Sequence, residues 1–587
     1  MQPAQAGDSG APSNRALKRW GPILAVLAVI IVGIVVISTT GGGDSDDEAV
    51  ATTIAPTTTI GDGATTSTAP DDTTPSGEIT FPLSFSQAQE QGVVDQIDWG
   101  TRCDTSVGRV AVPDFFAPEC FAPFTGDNGG ATDVGVTADE ITLVYYAGQE
   151  NDPIIDYITS AVAVDDTNEQ LFETMRGLVK YYETYYELYG RKINLVTFTG
   201  TGGAADDVAA RADAALIAEQ YQPFAVLGGP ALTSAFSDEL AAREITCIGC
   251  GPGQPGSWYE DRDPYLWGLD ASAEQKRTHV VEFITKQLVG KNAEHAGEAL
   301  KSTPRKFGYV YIDSGSGSKD LADGYAAAME AAGAPFAEVL PYELNPGTIQ
   351  DTASQVISKL KSAGVTTIVF SGDPVAPRDF TREATAQEYF PEWVVAASTL
   401  VDVNAFARTY DQEQWKHAFG VTSLAAKSDP TVIGAGVVYE WFTGSPPPAP
   451  GSIGVISPNP ALFFAVVQGV GPNLTSETWR DGLFEGTGTQ KAISQPYLSY
   501  GDKGLWPDTD YQGVDDATAF WWDPTTVGPD ELRRSGPGMY QFVDGGKRYL
   551  PGEWPTEEKL FNPEGAVAIY TTPPPGEAPR DYPSPAG

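Results

Sequence analysis

Histidine is nearly absent from this chain of 587 residues: His279, His295 and His417 are the full set. They stand at no metal-ligand spacing, so imidazole-based metal centres lack their residues, and all three read as packing or surface positions. No Gly-x-Ser-x-Gly elbow is present, which removes one common hydrolase signature. Cations are scarce too, 36 Lys and Arg against 78 Asp and Glu, for a formal net charge of -42. A surface that acidic repels phosphate backbones, so nucleic acid is excluded as a partner and the acidity serves solubility. Cysteine is limited to Cys103, Cys120, Cys247 and Cys250. None follows the N-terminal apolar run closely, which excludes a diacylglycerol anchor on cysteine. What is abundant is core material: 41% hydrophobic and 11% aromatic residues, enough for several compact domains.

No charge occurs from Trp20 to Gly43, and Gly21 to Ile37 is almost wholly aliphatic. Residues 21–40 therefore predict one transmembrane helix across a hydrocarbon core of about 30 Å. Arg15, Lys18 and Arg19 before it, and Asp44, Asp46, Asp47 and Glu48 after it, place residues 1–20 in the cytoplasm and the remainder outside. A cleaved signal peptide is the rival reading, but the run is long for one and Ser38-Thr39-Thr40-Gly41 is a weak cleavage pattern. Residues 41–80, rich in Thr, Pro and Asp, form a flexible stalk. Residues 81–139 read as an irregular aromatic extension stapled by a disulfide. All four cysteines then lie where disulfides persist. Three pairings are open; Cys103–Cys120 with Cys247–Cys250 closes the shortest loops. Gly251-Pro-Gly-Gln-Pro-Gly256 follows the C-x-x-C and starts no helix promptly, so that pair reads as structural rather than redox-active. Bonding it requires the chain to bend at Gly249.

From Glu140 onward strands and helices alternate. Strands are expected at Ile141–Tyr146, Ile193–Phe198, Phe224–Leu227 and Ile245–Ile248, with helices at Asn168–Tyr189, Ala204–Tyr221 and Ala231–Arg243 between them. The alternation restarts with helix Ser272–Leu288 and strand Phe307–Ile312, and runs on to strand Trp393–Ala396. This pattern predicts an α/β protein of two doubly wound parallel-sheet lobes around a hinged cleft, 140–270 and 271–398. Residues 399–587 are expected to cross between the lobes, complete both and end in a tail. In such sheets ligands sit beyond the carboxyl ends of the strands. Thr233 and Ser234 fall at an expected helix start, where free N–H groups and hydroxyls suit a carboxylate or merely cap the helix.

Phe224-Ala-Val-Leu-Gly-Gly-Pro-Ala-Leu-Thr-Ser-Ala235, Ala241–Cys250, Phe307–Gly333 and Ile368-Val-Phe-Ser-Gly-Asp-Pro374 resemble, in that order, segments of the type I periplasmic binding-protein fold. The likeness is to the branched-chain amino-acid type that serves ABC transporters, and it spans about Glu140 to Thr422. It implies a first cleft face carrying Thr233, Ser234, Cys250 and Gly251 and a second carrying Ser314 and Asp373. It further implies capture of an amino acid or related carboxylate, without catalysis or a cofactor, for an ABC permease. The alternative is a ligand-sensing or interaction module acting through a separate membrane partner. This sequence departs from the family at Ala147–Pro153, where a Gly-rich loop is usual, and at Ser314-Gly-Ser-Gly-Ser318. Two glycine-rich stretches, Gly200–Ala205 and Gly315–Lys319, read as plain strand-to-helix turns rather than nucleotide loops, since the first is followed by Asp206 and Asp207. Asp508, Asp510, Asp515 and Asp516, without the closing Glu of a calcium loop, read as a solvated turn and not as a metal site.

Overall fold

A computed structural model of the chain describes residues 79–587, apart from 252, 316, 399 and 490. The expected membrane helix and nearly all of the expected stalk lie outside the described residues. The extension comes first. Its two-residue strands β1 (Cys103–Asp104) and β2 (Arg109–Val110) pair antiparallel, and Cys103 is bonded to Cys120. Leu83, Phe85, Ala88, Val93 and Trp99 pack around that bond. The extension lies on the first lobe: Arg102 pairs with Glu187, and Arg191 donates to the carbonyls of Thr137, Asn128 and Pro472.

The first lobe has five parallel strands, β3 (Glu140–Ala147), β4 (Lys192–Thr199), β5 (Ala225–Leu227), β6 (Thr246–Ile248) and β7 (Leu266–Trp267), in the order β4-β3-β5-β6-β7. Helices cover both faces, so β5 and β6 are buried at every residue, as strands covered on both sides are. Helix Asn168–Tyr185 starts on a capping box, Thr167 with Gln170, which satisfies two otherwise orphaned N–H groups. Gly249, at φ +72°, supplies the bend that lets Cys247 and Cys250 bond with Cα atoms 5.8 Å apart.

The second lobe is built on seven strands: β8 (Phe307–Ile312), β9 (Val339–Tyr342), β10 (Thr367–Ser371), β11 (Glu392–Ala396), β12 (Ala418–Thr422), β13 (Thr518–Pro529) and β14 (Ser535–Phe542). Their order is β14-β13-β12-β11-β10-β8-β9. This corrects the expectation of two purely parallel sheets. β8 to β12 are parallel, but β13 runs antiparallel to β12 and β14 antiparallel to β13. A hairpin from the C-terminal region extends this sheet because consecutive antiparallel strands need only a short turn.

The C-terminal third completes both lobes. Helices Ala435–Thr443, Pro458–Val470 and Ser476–Glu485 join the first lobe's core, where Phe463 stacks on Trp479 at 5.7 Å and Phe464 on Tyr182 at 4.8 Å. The stretch Ile453–Val470 is apolar and long enough to span a membrane, but 72% of it is buried within the protein. A helix hydrophobic all round is a core helix when other elements enclose it. The chain therefore makes three crossings between the lobes beside the cleft, after β7, after β12 and before β13, and its tail later returns to the first lobe, where Trp441 Nε1 donates to Tyr582 O at 2.9 Å.

Candidate functional site

The three crossings run side by side. Gly268 N–H donates to Tyr511 O at 2.9 Å, and Ser423 Oγ donates to Asp270 Oδ1 at 2.9 Å. Arg548 holds the carbonyls of Ser423, Leu424 and Asp516 as well as the Asp516 carboxylate. Asp510, Asp515 and Asp516 sit here at 4%, 0% and 6% exposure. They are not the solvated turn expected from sequence; only Asp508 is exposed. Asp515 accepts from Ser499 and Trp506, and burial beside Asp510 raises its carboxyl well above the ordinary range. His279 is buried beneath the crossings. Trp554 Nε1 donates to its Nδ1 at 3.1 Å, which leaves Nε2 as the donor to Asp515 O at 2.9 Å. Desolvation lowers its pKa, so it is a neutral packing residue.

Between the lobes, at the carboxyl ends of β5, β6, β8, β10 and β11, lies a cavity of about 330 Å³. That size suits a small ligand. Five of the six residues expected at the site line it: Thr233, Ser234 and Gly251 from the first lobe, Ser314 and Asp373 from the second. Cys250 does not line it. Its sulfur is drawn into the first lobe's core by the bond to Cys247, leaving the residue 2% exposed.

The lining residues differ from expectation in their occupations. The helix after β5 begins at Ala235, not Ala231, so Thr233 and Ser234 precede its first turn. Thr233 Oγ1 accepts from Ala235 N–H at 3.0 Å and donates to the Asp207 carboxylate. Its hydroxyl is already engaged. Asp373 points inward: Oδ1 caps the helix Ala376–Ala386 through the N–H groups of Val375 and Ala376, and Oδ2 accepts from Tyr342 at 2.6 Å. Burial raises its pKa against the pull of those donors. It holds the cleft wall in shape. Ser314 Oγ lies 3.2 Å from Ser318 Oγ, within the loop that opens helix Ser318–Ala331.

The second wall contains a group that the sequence reading missed. Tyr309 and Tyr311 share one face of β8 by its two-residue period and stack at 5.5 Å. Tyr325, from helix Ser318–Ala331, meets Tyr309 edge-on at 4.8 Å. All three line the cavity. Tyr325 is 5% exposed, and its hydroxyl has no hydrogen-bond partner among the described residues. Arg277 and Lys276, from helix Ala273–Gln287, complete the wall. Lys276 is paired with Asp270. Arg277 is half-buried and pairs with no carboxylate among the described residues. Its guanidinium lies over Gly324, where an added Cβ would stand 2.7 Å from Nη1. The one legible signal was a Lys-Arg pair opening the helix after the first crossing, in a chain poor in cations.

Beside the cleft the lobes touch again. Helix Pro153–Ala161 packs into the second lobe's core. Tyr157 donates to Asp379 Oδ2 at 3.1 Å and accepts from Arg378.

A family model described as periplasmic binding protein matches residues 155–432. No curated protein matches by sequence. Among solved structures, the chain is similar to the leucine-, isoleucine-, valine-, threonine- and alanine-binding protein from Brucella ovis, at 12% identity and TM-score 0.49, over 73% of this chain and 99% of that one. It is also similar to an ABC-transporter solute-binding protein from R. palustris in complex with 4-hydroxybenzoate, at 10% identity and TM-score 0.48, over 71% and 99%. A third is the fatty acid ABC transporter substrate-binding protein from Thermomonospora curvata, at 16% identity and TM-score 0.46, over 73% and 97%. Two α/β lobes joined by three crossings thus surround a cleft, and residues 155–432 within them match the family model described as periplasmic binding protein.

Proposed function

We propose that this protein is an extracytoplasmic solute-binding protein that captures a small polar ligand, an amino acid or related carboxylate, by closure of its two lobes and delivers it to an ABC permease. It performs no chemistry on that ligand. The observation that carries this reading is the cavity of about 330 Å³, walled by strand ends of both lobes and spanned by three hydrogen-bonded crossings. An open, wet cleft binds weakly. Closure adds the second wall, excludes water and strengthens each polar contact in the lower dielectric.

Residues 21–40 serve in this reading as the membrane tether, supported by their uninterrupted apolar character and the positive charge before them. The test is native mass spectrometry of protein purified from its own host, with denaturing release of whatever is bound. The expected result is one small molecule per chain, which raises the melting temperature when added back. Protein that retains no small molecule and is stabilised by none from a metabolite library defeats the reading.

A further inference from the structure

We propose that the ligand's anionic head is held on the second lobe, by the Arg277 guanidinium and the Tyr325 hydroxyl, with its apolar body against Tyr309 and Tyr311: the cleft takes a monocarboxylate with an apolar body. This rests on the solute-capture reading and adds to it the polarity of the site.

Of the two cations lining the cavity, Lys276 is neutralised by Asp270, whereas Arg277 has no carboxylate among the described residues. A guanidinium offers several fixed N–H donors and no acceptor. Beside it, the Tyr325 hydroxyl is buried without a partner. Burial drives that phenol well above its ordinary range, so it keeps its proton and remains a donor. Two adjacent donors, one cationic, call for an acceptor with two negatively charged oxygens.

The opposite wall is built against such a head. The Thr233 hydroxyl donates to the Asp207 carboxylate and accepts from Ala235 N–H, and Asp207 itself lines the cavity. That negative charge repels an anion and suits a hydroxyl or ammonium instead. Next to the second-lobe donors, Tyr311 stacks on Tyr309, which stacks in turn on Phe336 at 5.1 Å, so the cavity meets the end of an aromatic stack, an apolar surface. The head is therefore on the second lobe and the expectation of a carboxylate at Thr233 and Ser234 is replaced.

The test uses calorimetric titration of the whole exported protein with benzoate, phenylacetate, hexanoate and L-phenylalanine, each beside its neutral primary amide. Wild type should bind at least one acid at least about tenfold more tightly than its amide, the ratio one charge-assisted hydrogen bond gives. Arg277→Gln should erase that preference while leaving the melting temperature of the unliganded protein within about 2 °C of the parent, since Arg277 pairs with no carboxylate among the described residues. Tyr325→Phe should reduce the preference, and Thr233→Val should leave it intact. If Arg277→Gln keeps the preference, or Thr233→Val abolishes it, the assignment is overturned and solute capture stands. If only amides bind, the anionic head is wrong while capture again stands. If no compound binds, the assignment falls, and capture is decided separately by the co-purified molecule.

Discussion

Glu392, the first residue of β11, carries the most exposed consequence of this packing for mutation. Its side chain is 0% exposed and that of Arg305 is 1% exposed. Arg305 Nε donates to Oε2 and Nη2 to Oε1, both at 2.9 Å. Thr367 Oγ1 adds a bond to Oε2 at 2.7 Å, and His295 N–H one to Oε1 at 3.1 Å. Four donors thus converge on one carboxylate. In Glu392→Gln, either orientation of the amide sets an NH₂ against two of those donors and leaves Arg305 charged, dry and without its hydrogen-bonded carboxylate, with Glu558 the more distant charge that remains. Removing one partner of a buried pair costs about 3–5 kcal/mol. At roughly 2–4 °C per kcal/mol for a unit of this size, the second lobe should melt about 6–20 °C lower. Fluorescence of the adjacent buried Trp393 follows the transition. Because replacing both charges by apolar groups is often neutral, Arg305→Met with Glu392→Leu should recover most of the loss. A single variant melting within about 2 °C of the parent, or a double variant as unstable as the single, refutes the reasoning.

Gly324→Ala should displace Arg277, since the new Cβ would lie 2.7 Å from Nη1, while gaining up to about 1 kcal/mol of helix propensity; weaker ligand binding at equal or higher melting temperature is expected by calorimetry. Tyr157→Phe removes the hydroxyl that joins the lobes at Asp379 and Arg378; ligand affinity should fall severalfold with stability within about 1 kcal/mol of the parent, measured by titration and thermal melts. Burial holds the Asp402 carboxyl at about 6 against 3.8 for an unperturbed group, opposed by the Thr422 hydroxyl and the Lys427 charge. Because the unfolded chain ionises first, the contribution of Asp402 to stability should fall as pH rises from about 4 to about 6, by roughly 3 kcal/mol in all. Asp402→Asn should flatten that slope in melting curves taken across the range.

The parallel body of both lobes was legible because buried strands and amphipathic helices leave local patterns. Phe307–Ile312 has the same bounds in sequence and structure, and the helix expected from Asn168 begins there, though it ends at Tyr185 rather than Tyr189. What failed was non-local or too brief. β7 is two residues long. β13 contains Pro524 and ends on Pro529, residues that argue against a strand; an irregularity of register between Asp523 and Val527 absorbs the first. The Asp510–Asp516 segment looks hydrophilic by composition, yet three crossings from distant parts of the chain converge over it. At the site, the sequence brought five lining residues to one cleft but not their occupations. Thr233 is taken by Asp207, 26 positions away, and Asp373 by Tyr342, 31 positions away. Arg277 was missed because an arginine on an exported helix reads as a solvated charge until its partners are known.

Three crossings also set an order in time. The first lobe's core is closed by Pro458–Val470 and Ser476–Glu485, which follow all five parallel strands of the second lobe in the chain. A polypeptide threading through a membrane from its N-terminus thus exposes β3 to β7 well before the helices that cover them arrive. Until then Phe224 lacks Trp479, Tyr182 lacks Phe464, and the sheet's apolar face stays wet. Neither lobe is an independent folding unit, so a truncation after β12 should yield not one sound lobe and one missing, but two incomplete ones.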